Sequence, residues 1–261
     1  MDIDLTYLPV DEPREAALKE MSDALGRIAA AIKKAIPGAK VQESRAGKPE
    51  RVTRLIVAIG QTRIKVEPNE VIRGAVFAAK ERELTKRAEV LFELSVTAQT
   101  LSLADLYGGK LCAALDRQHP RDLFDVKLLL ENEGITDEIR KACVVYLASH
   151  DRPMHELLDP TRKDVRRIYE NEFAGMAIDE IPYDVLITAR EALIGTLKEE
   201  LTGDEKTFLV SVKSGQPNWG VMGIKGIEKL PALQWKLLNI RKMNAKKRAE
   251  LLDKLKKTLG W

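Results

Sequence analysis

The chain has 261 residues, of which 44% are apolar and 32% charged, with a formal net charge of +3. That length suits one large domain or two modest ones, and the composition is that of a helix-rich globular protein. No run of about 18 apolar residues occurs, so no membrane-spanning helix is expected; no charged-then-apolar leader precedes a small-residue cleavage site, so no signal peptide is expected. Cys112 and Cys143 both fall in apolar helical patterns, as reduced core thiols of a cytoplasmic protein would. None of the three histidines is paired at ligand spacing, which argues against zinc. The charge is unevenly spread. Between Leu230 and Trp261 there are nine Lys or Arg against two Asp or Glu, whereas the rest of the chain is net acidic, an asymmetry that points to a polyanionic partner.

In chain order, Asp2-Ile3-Asp4-Leu5 reads as a strand. Strand side chains alternate, so both aspartates share one face, and Ile3 and Leu5 turn toward a core. Asp11-Glu12-Pro13 marks a helix start. Leu18, Met21, Leu25, Ile28 and Ile32 repeat at helical spacing until Pro37-Gly38. Strands are expected at 41–44, 51–59, 62–67 and 90–96, with Gly60-Gln61 as a tight hairpin. From Ser102 onward the pattern is helical. Helices are expected at 101–115, 121–130, 137–147, 161–173, 183–201, 202–213, 231–240 and 244–259, with 214–220 as a turn cluster. The expected organisation is α+β: a sheet domain over 1–100, then a helical domain over 101–261 ending in a basic tail.

Four stretches have the residue types of a reactive site. Two carboxylates side by side on a strand repel one another, and a hard divalent cation such as Mg²⁺ relieves that repulsion; a solvated strand end is the plain alternative. Lys65 and Glu67 also share a strand face. If that strand lies beside the first, Glu67 completes a set of three carboxylates suited to two-metal phosphoryl or nucleotidyl transfer, with Lys65 to neutralise phosphate; the alternative is a cross-strand ion pair. Gly108-Gly109-Lys110 places two glycines in a helical pattern at a cost of about 1 kcal/mol each. Close approach of another backbone or of a nucleotide would offset that cost, and the spacing is not that of a P-loop. In Arg117 to Asp125, Pro120 starts a helix on which Asp122 and Asp125 share a face, with Arg117 and Arg121 around the same turn. A buried Arg–Asp network joining the two domains is the structural reading of this segment. His119 and His150 fit structural or surface roles. Trp219, Trp235 and Trp261 are expected to pack helices, since stacking on nucleic acid needs exposed rings beside the basic tail.

Taken together, Asp2-Ile3-Asp4-Leu5, Lys65-Val66-Glu67, Gly109-Lys110-Leu111 and Asp116-Arg117 through Pro120-Arg121-Asp122-Leu123-Phe124-Asp125 resemble the AbiEii/AbiGii family of nucleotidyltransferase toxins from type IV toxin–antitoxin and abortive-infection systems. Leu201 to Phe208, Pro217-Asn218-Trp219 and Gly226 to Ala232 are similar to its longer members. The resemblance implies a DNA polymerase β-like nucleotidyltransferase mixed sheet followed by a helical domain. It implies Asp2 and Asp4 as metal carboxylates, with Glu67 as the third. It implies Lys110 as the lysine that contacts the nucleotide phosphates, and Asp125 or Asp122 as the acidic residue that activates the acceptor hydroxyl; Lys65 and Arg121 are further candidates for binding the nucleotide.

The activity so implied is Mg²⁺-dependent transfer of NMP from an NTP to an RNA, with tRNA the first candidate, or to a protein. RNA would bind through the basic tail, and a cognate antitoxin is the implied partner. The superfamily pattern also places a Gly-Gly/Ser/Thr motif ahead of the DxD strand. Asp2 follows Met1 directly, so an N-terminally truncated transferase domain is expected. The second expectation is a catalytically impaired module of the same fold that binds RNA or a protein, and the third is a metal-dependent nuclease.

Overall fold

A computed structural model of the chain describes residues 2–261, and its architecture is mixed α and β, with helix predominant. The chain divides into two compact units. One runs to Gly74 and includes Lys229–Ala232; the other comprises Ala75–Glu228 and Leu233–Trp261.

The first unit contains β1 (Asp2–Leu5), α1 (Arg14–Ala35), β2 (Lys40–Ala46), β3 (Arg51–Ile59) and β4 (Thr62–Pro68). The strands form one sheet in the order β1-β4-β3-β2, with β1 parallel to β4 and the other pairs antiparallel. Ile59 pairs with Thr62, so Gly60-Gln61 is a two-residue hairpin loop, as expected from the sequence. Gly60 takes φ +55° there, a conformation glycine adopts without a Cβ penalty. On α1, Ala17, Met21, Leu25 and Ala29 recur every fourth residue and are buried. Leu25 and Ala29 pack with Val52, Leu55, Val57 and Val66, and Leu5 joins the edge of this cluster. Ile3 does not; it is 46% exposed. The helix therefore covers one face of the sheet with the apolar half of each strand's alternation. Gly74 closes the unit at φ +79°. A Cβ there would meet Val10 Cγ1 at 2.5 Å and Leu230 Cδ2 at 2.9 Å, so the position admits only glycine.

The second unit opens with β5 (Lys80–Glu83), α2 (Lys86–Phe92) and β6 (Thr97–Thr100), where β5 and β6 form an antiparallel pair. The expected strand at 90–96 is instead the end of a helix and a turn. The Thr85 hydroxyl accepts from the Ala88 amide to start the helix, and Glu93 ends it in the left-handed region. Val90 and Leu91 are 81% and 71% exposed, so no sheet lies over them to hold an extended chain.

The helices follow: α3 (Leu103–Arg117), α4 (Pro120–Glu131), α5 (Asp137–Ser149), α6 (Met154–Leu158), α7 (Arg166–Glu172), α8 (Tyr183–Glu200), α9 (Gly203–Ser214), α10 (Pro231–Lys242) and α11 (Ala245–Thr258). Their core includes Leu111, Leu115, Leu123, Leu129, Leu147, Leu157, Leu186 and Phe208, none more than 1% exposed. The helix expected over 161–173 is shortened to Arg166–Glu172, and the short helix α6 lies before it, bounded by Pro153 and Pro160. Proline disfavours helix at the residue preceding it, which separates the two. At α9 the Thr202 hydroxyl and Glu205 carboxylate form a reciprocal capping box. Glu205 also accepts from Arg140 Nε at 3.0 Å, with both side chains buried. Breaking this pair at one partner leaves a charge stranded, so Arg140→Ala should destabilise the protein by about 3–5 kcal/mol in urea unfolding.

Candidate active site

Each unit has its own set of the residues singled out above. In the sheet unit, the register places Asp2 beside Lys65 and Asp4 beside Glu67 across the parallel β1–β4 pair. Paired residues of adjacent strands point the same way, and residues two apart on a strand share a face. Asp2, Asp4, Lys65 and Glu67 therefore occupy one face, opposite the apolar residues that meet α1. Lys65 Nζ lies 2.7 Å from Glu67 Oε1 and 3.4 Å from Asp2 Oδ2, and Arg54 Nε donates to Glu67 Oε2 at 2.6 Å. The Lys65 hydrogen bond holds the Glu67 carboxyl below its usual range and raises the lysine in turn. Asp4 is exposed and makes no ion pair among the described residues.

The donor set allows a specific test for the divalent cation that the resemblance implies. Among the described residues, no three His, Cys, Asp or Glu side chains cluster to hold a metal. Glu67 already has two cations against it. Asp2 and Asp4 fit as a two-carboxylate platform on an open face. Mg²⁺ is commonly held that way, through one or two carboxylates with water and substrate phosphate completing its shell.

In the helical unit, α3 and α4 carry two cross-helix ion pairs. Lys110 Nζ donates to Asp125 Oδ2 at 2.5 Å, and Arg117 Nη2 to Asp122 Oδ1 at 2.6 Å. Lys110 and Arg117 are seven residues apart on α3, and Asp122 and Asp125 three apart on α4, so each pair of like charges follows one helix face. The two aspartates differ in state. Asp125 is partly exposed and its Oδ2 is bound by lysine, whereas Asp122 is 8% exposed and its Oδ2 has no hydrogen-bond partner. A buried carboxylate oxygen without a donor is costly. Arg121 Nη2 donates to the Glu172 carbonyl at 3.2 Å, and the His119 ring caps α4 by accepting from the Arg121 amide at 3.2 Å. His119 is thus a structural histidine.

The two glycines of α3 differ as well. A Cβ on Gly108 would lie 2.8 Å from Ala142 Cβ and 2.8 Å from the Cys143 amide nitrogen, so Gly108 is the notch into which α5 packs. Gly109 faces nothing within 4 Å. Gly108→Ala should therefore cost about 1–3 kcal/mol by overpacking. Gly109→Ala should gain up to about 1 kcal/mol in helix propensity. Chemical unfolding of the two variants checks both signs.

Sequence reasoning missed Asp105, which is 2% exposed and accepts from the Val76 and Phe77 amides and from the Ser102 and Tyr146 hydroxyls. The signal was present as Ser102-x-x-Asp105 at the head of an apolar helix, the spacing of an N-terminal cap. Burial and the Asp105 charge together push the Tyr146 hydroxyl far above its ordinary value. Of the three tryptophans expected to pack helices, two do not. Trp219 packs near Phe208 at 6.2 Å, but Trp235 is 63% and Trp261 54% exposed, both within the basic segment. Cys112 and Cys143 are buried free thiols, and burial raises Cys143 to about 12.

A family model described as nucleotidyl transferase AbiEii toxin, type IV TA system, matches residues 1–237. No curated protein and no solved structure gives a significant match.

Proposed function

Because the chain belongs to the AbiEii family of nucleotidyl transferase toxins of type IV toxin–antitoxin systems, we propose that it transfers a nucleoside monophosphate from an NTP to an RNA acceptor, with tRNA the first candidate and a protein acceptor the alternative. The family match over residues 1–237 carries this reading. The polar sheet face opposite α1 supports it, as a polymerase β-like core would present such a face. Asp2 and Asp4 would hold Mg²⁺, with Glu67 as the third carboxylate once Lys65 and Arg54 turn to phosphate. The metal supplies charge neutralisation of the triphosphate.

The protein's own groups do the rest. Lys110, Lys65 and Arg121 pair with phosphate oxygens. The acceptor oxygen bonds to the α-phosphorus, the bond to the departing pyrophosphate breaks, and the acceptor proton passes to a carboxylate. Asp125 is partly exposed and suits that role once Lys110 is drawn to phosphate; Asp122, the other candidate, suits it only once its buried Oδ2 is uncovered. A cognate antitoxin would counter the activity. No helix among the described residues is long and apolar enough to cross a membrane.

Incubation with labelled NTPs, Mg²⁺ and bulk tRNA tests the reading: label should appear in the RNA. Shortened RNA without label would identify a nuclease instead. A second reading, a module that binds RNA without transfer, is favoured by exposed Trp235 and Trp261 beside the basic helices, since bases stack on such rings. Calorimetry separates the two. Heat with NTP and Mg²⁺ supports the transferase, whereas salt-sensitive RNA binding with no NTP heat supports the module.

A further inference from the structure

The polar face of the sheet continues past the carboxylates of β1, and the strand register sets out its rows. In one row, Arg63 on β4 lies beside Ala58 on β3, and Ala58 beside Lys40 on β2. In the next, Lys65 lies beside Ile56, and Ile56 beside Gln42. In the third, Arg54, which donates to Glu67 at 2.6 Å, lies beside Ser44. Paired residues of adjacent strands point the same way, so these side chains share the face of Asp2 and Asp4. The burial of β3 agrees: Leu55 and Val57 are buried toward α1, whereas Arg54, Ile56 and Ala58 are not buried.

Charge on this face is sorted by strand. The acids Asp2, Asp4 and Glu67 lie on β1 and β4. Beyond Glu67, toward β2, the paired rows contain Arg54, Arg63 and Lys40 and no acid. Glu43 on β2 pairs with the buried Leu55, so it takes the opposite face, and Arg45 holds it at 2.5 Å. Arg63 and Lys40 are exposed, and their side chains make no hydrogen bond or ion pair among the described residues. Ala58, between them, carries only a methyl group, so nothing tall separates the two cations. Strands lie about 4.8 Å apart, which puts Lys40 about 14 Å from β1. That span exceeds one triphosphate held at Asp2 and Asp4, and a chain of phosphates covers it. Unpaired cations in line on an open face attract a polyanion.

We propose that Arg63, Lys40 and Arg54 form a track for the backbone of an RNA strand, crossing β3 between the Asp2 and Asp4 edge and β2. Arg63 and Lys40 each take a phosphate, and Arg54 takes one when Glu67 releases it. Ile56 and Ala58 are the floor on which the sugars lie. Gln42 and Ser44 offer hydrogen bonds to 2′-hydroxyls, the group that separates RNA from DNA. The track belongs to the sheet unit, whereas the basic tail belongs to the helical one. That the strand is the acceptor, with its end presented at Asp2 and Asp4, rests on the transferase reading; that it binds on this face does not.

The test compares the full-length protein with Arg63→Gln, Lys40→Gln and Lys33→Gln. Lys33 is an exposed cation on α1, the helix that covers the opposite face, so its variant loses the same charge away from the track. A short fluorescein-labelled single-stranded RNA is titrated by anisotropy over a range of salt, and NTP with Mg²⁺ by calorimetry. Arg63→Gln and Lys40→Gln should each weaken RNA binding about fivefold and make the salt slope shallower by about one. NTP binding and melting temperature should stay at native values in both, and Lys33→Gln should bind RNA as the native chain does. Equal RNA affinity in all four proteins, an equal fall in Lys33→Gln, or no RNA binding by the native chain would overturn the proposal. Loss of NTP binding with RNA binding intact would also overturn it, by giving the cations to the triphosphate. The expected falls in a chain that labels no RNA would keep the track and defeat the transferase reading; label transfer with unaltered RNA affinities would do the reverse.

Discussion

Asp105→Ala should destabilise the helical unit by about 4 kcal/mol, because it strands several buried donors at about 1–3 kcal/mol each before relaxation. The Val76 and Phe77 amides lie 2.7 and 3.0 Å from the carboxylate, and the Ser102 and Tyr146 hydroxyls each lie 2.7 Å from it. Those donors come from the segment before β5, from the cap of α3 and from α5, so one side chain ties three parts of the chain together. For a protein of this size, the expected loss is a fall of about 10 °C in melting temperature. Asp105→Asn should cost less, since its carbonyl oxygen still accepts while its amide faces donors. Thermal unfolding followed by near-ultraviolet circular dichroism reads the difference. A loss below about 1 kcal/mol for Asp105→Ala would mean that water or backbone movement replaces the carboxylate.

Asp4→Ala should have the opposite profile. Its carboxylate is exposed and without an ion pair among the described residues, so stability should change by no more than about 0.5 kcal/mol. Nucleotidyl transfer should fall by at least about 10²-fold, the scale on which losing one preorganised charged group acts. Asp122→Asn should also reduce transfer while leaving NTP affinity in place. Lys110→Met should weaken NTP binding and, by releasing Asp125 from its 2.5 Å ion pair, leave that carboxylate unpaired. Activity lost together with stability in Asp4→Ala would show that the residue supports the fold instead.

Much of this was legible in the chain. Alternation in Asp2–Leu5 and Thr62–Pro68 predicts which side chains share a face, and the parallel register joins those faces. Four-residue spacing in α1 and the proline at the start of α4 fix those helices. The Gly60-Gln61 hairpin follows from glycine's tolerance of positive φ.

What was illegible depends on contacts distant in sequence. Val90 to Val96 has the β-branched and apolar content of a strand, but nothing covers it, and the local Thr85 cap decides for helix. The division of the chain falls after Gly74, and 75–100 goes with the helices, because Asp105 holds the Val76 and Phe77 amides. That bond spans nearly thirty residues and has no periodicity. In the candidate site, the sequence presents Glu67, Asp122 and Asp125 as equivalent carboxylates. Only the packed structure separates a Glu67 held by two cations and a partly exposed Asp125 held by one from an Asp122 held by one whose second oxygen is buried without a partner.

The most direct test of the central claim is the intact mass of an acceptor tRNA after incubation with the protein, Mg²⁺ and the four NTPs. The native chain should add whole nucleoside monophosphate units, and Asp4→Ala should add none. An RNA of unchanged or reduced mass with the native chain, or equal gains with both proteins, would contradict it.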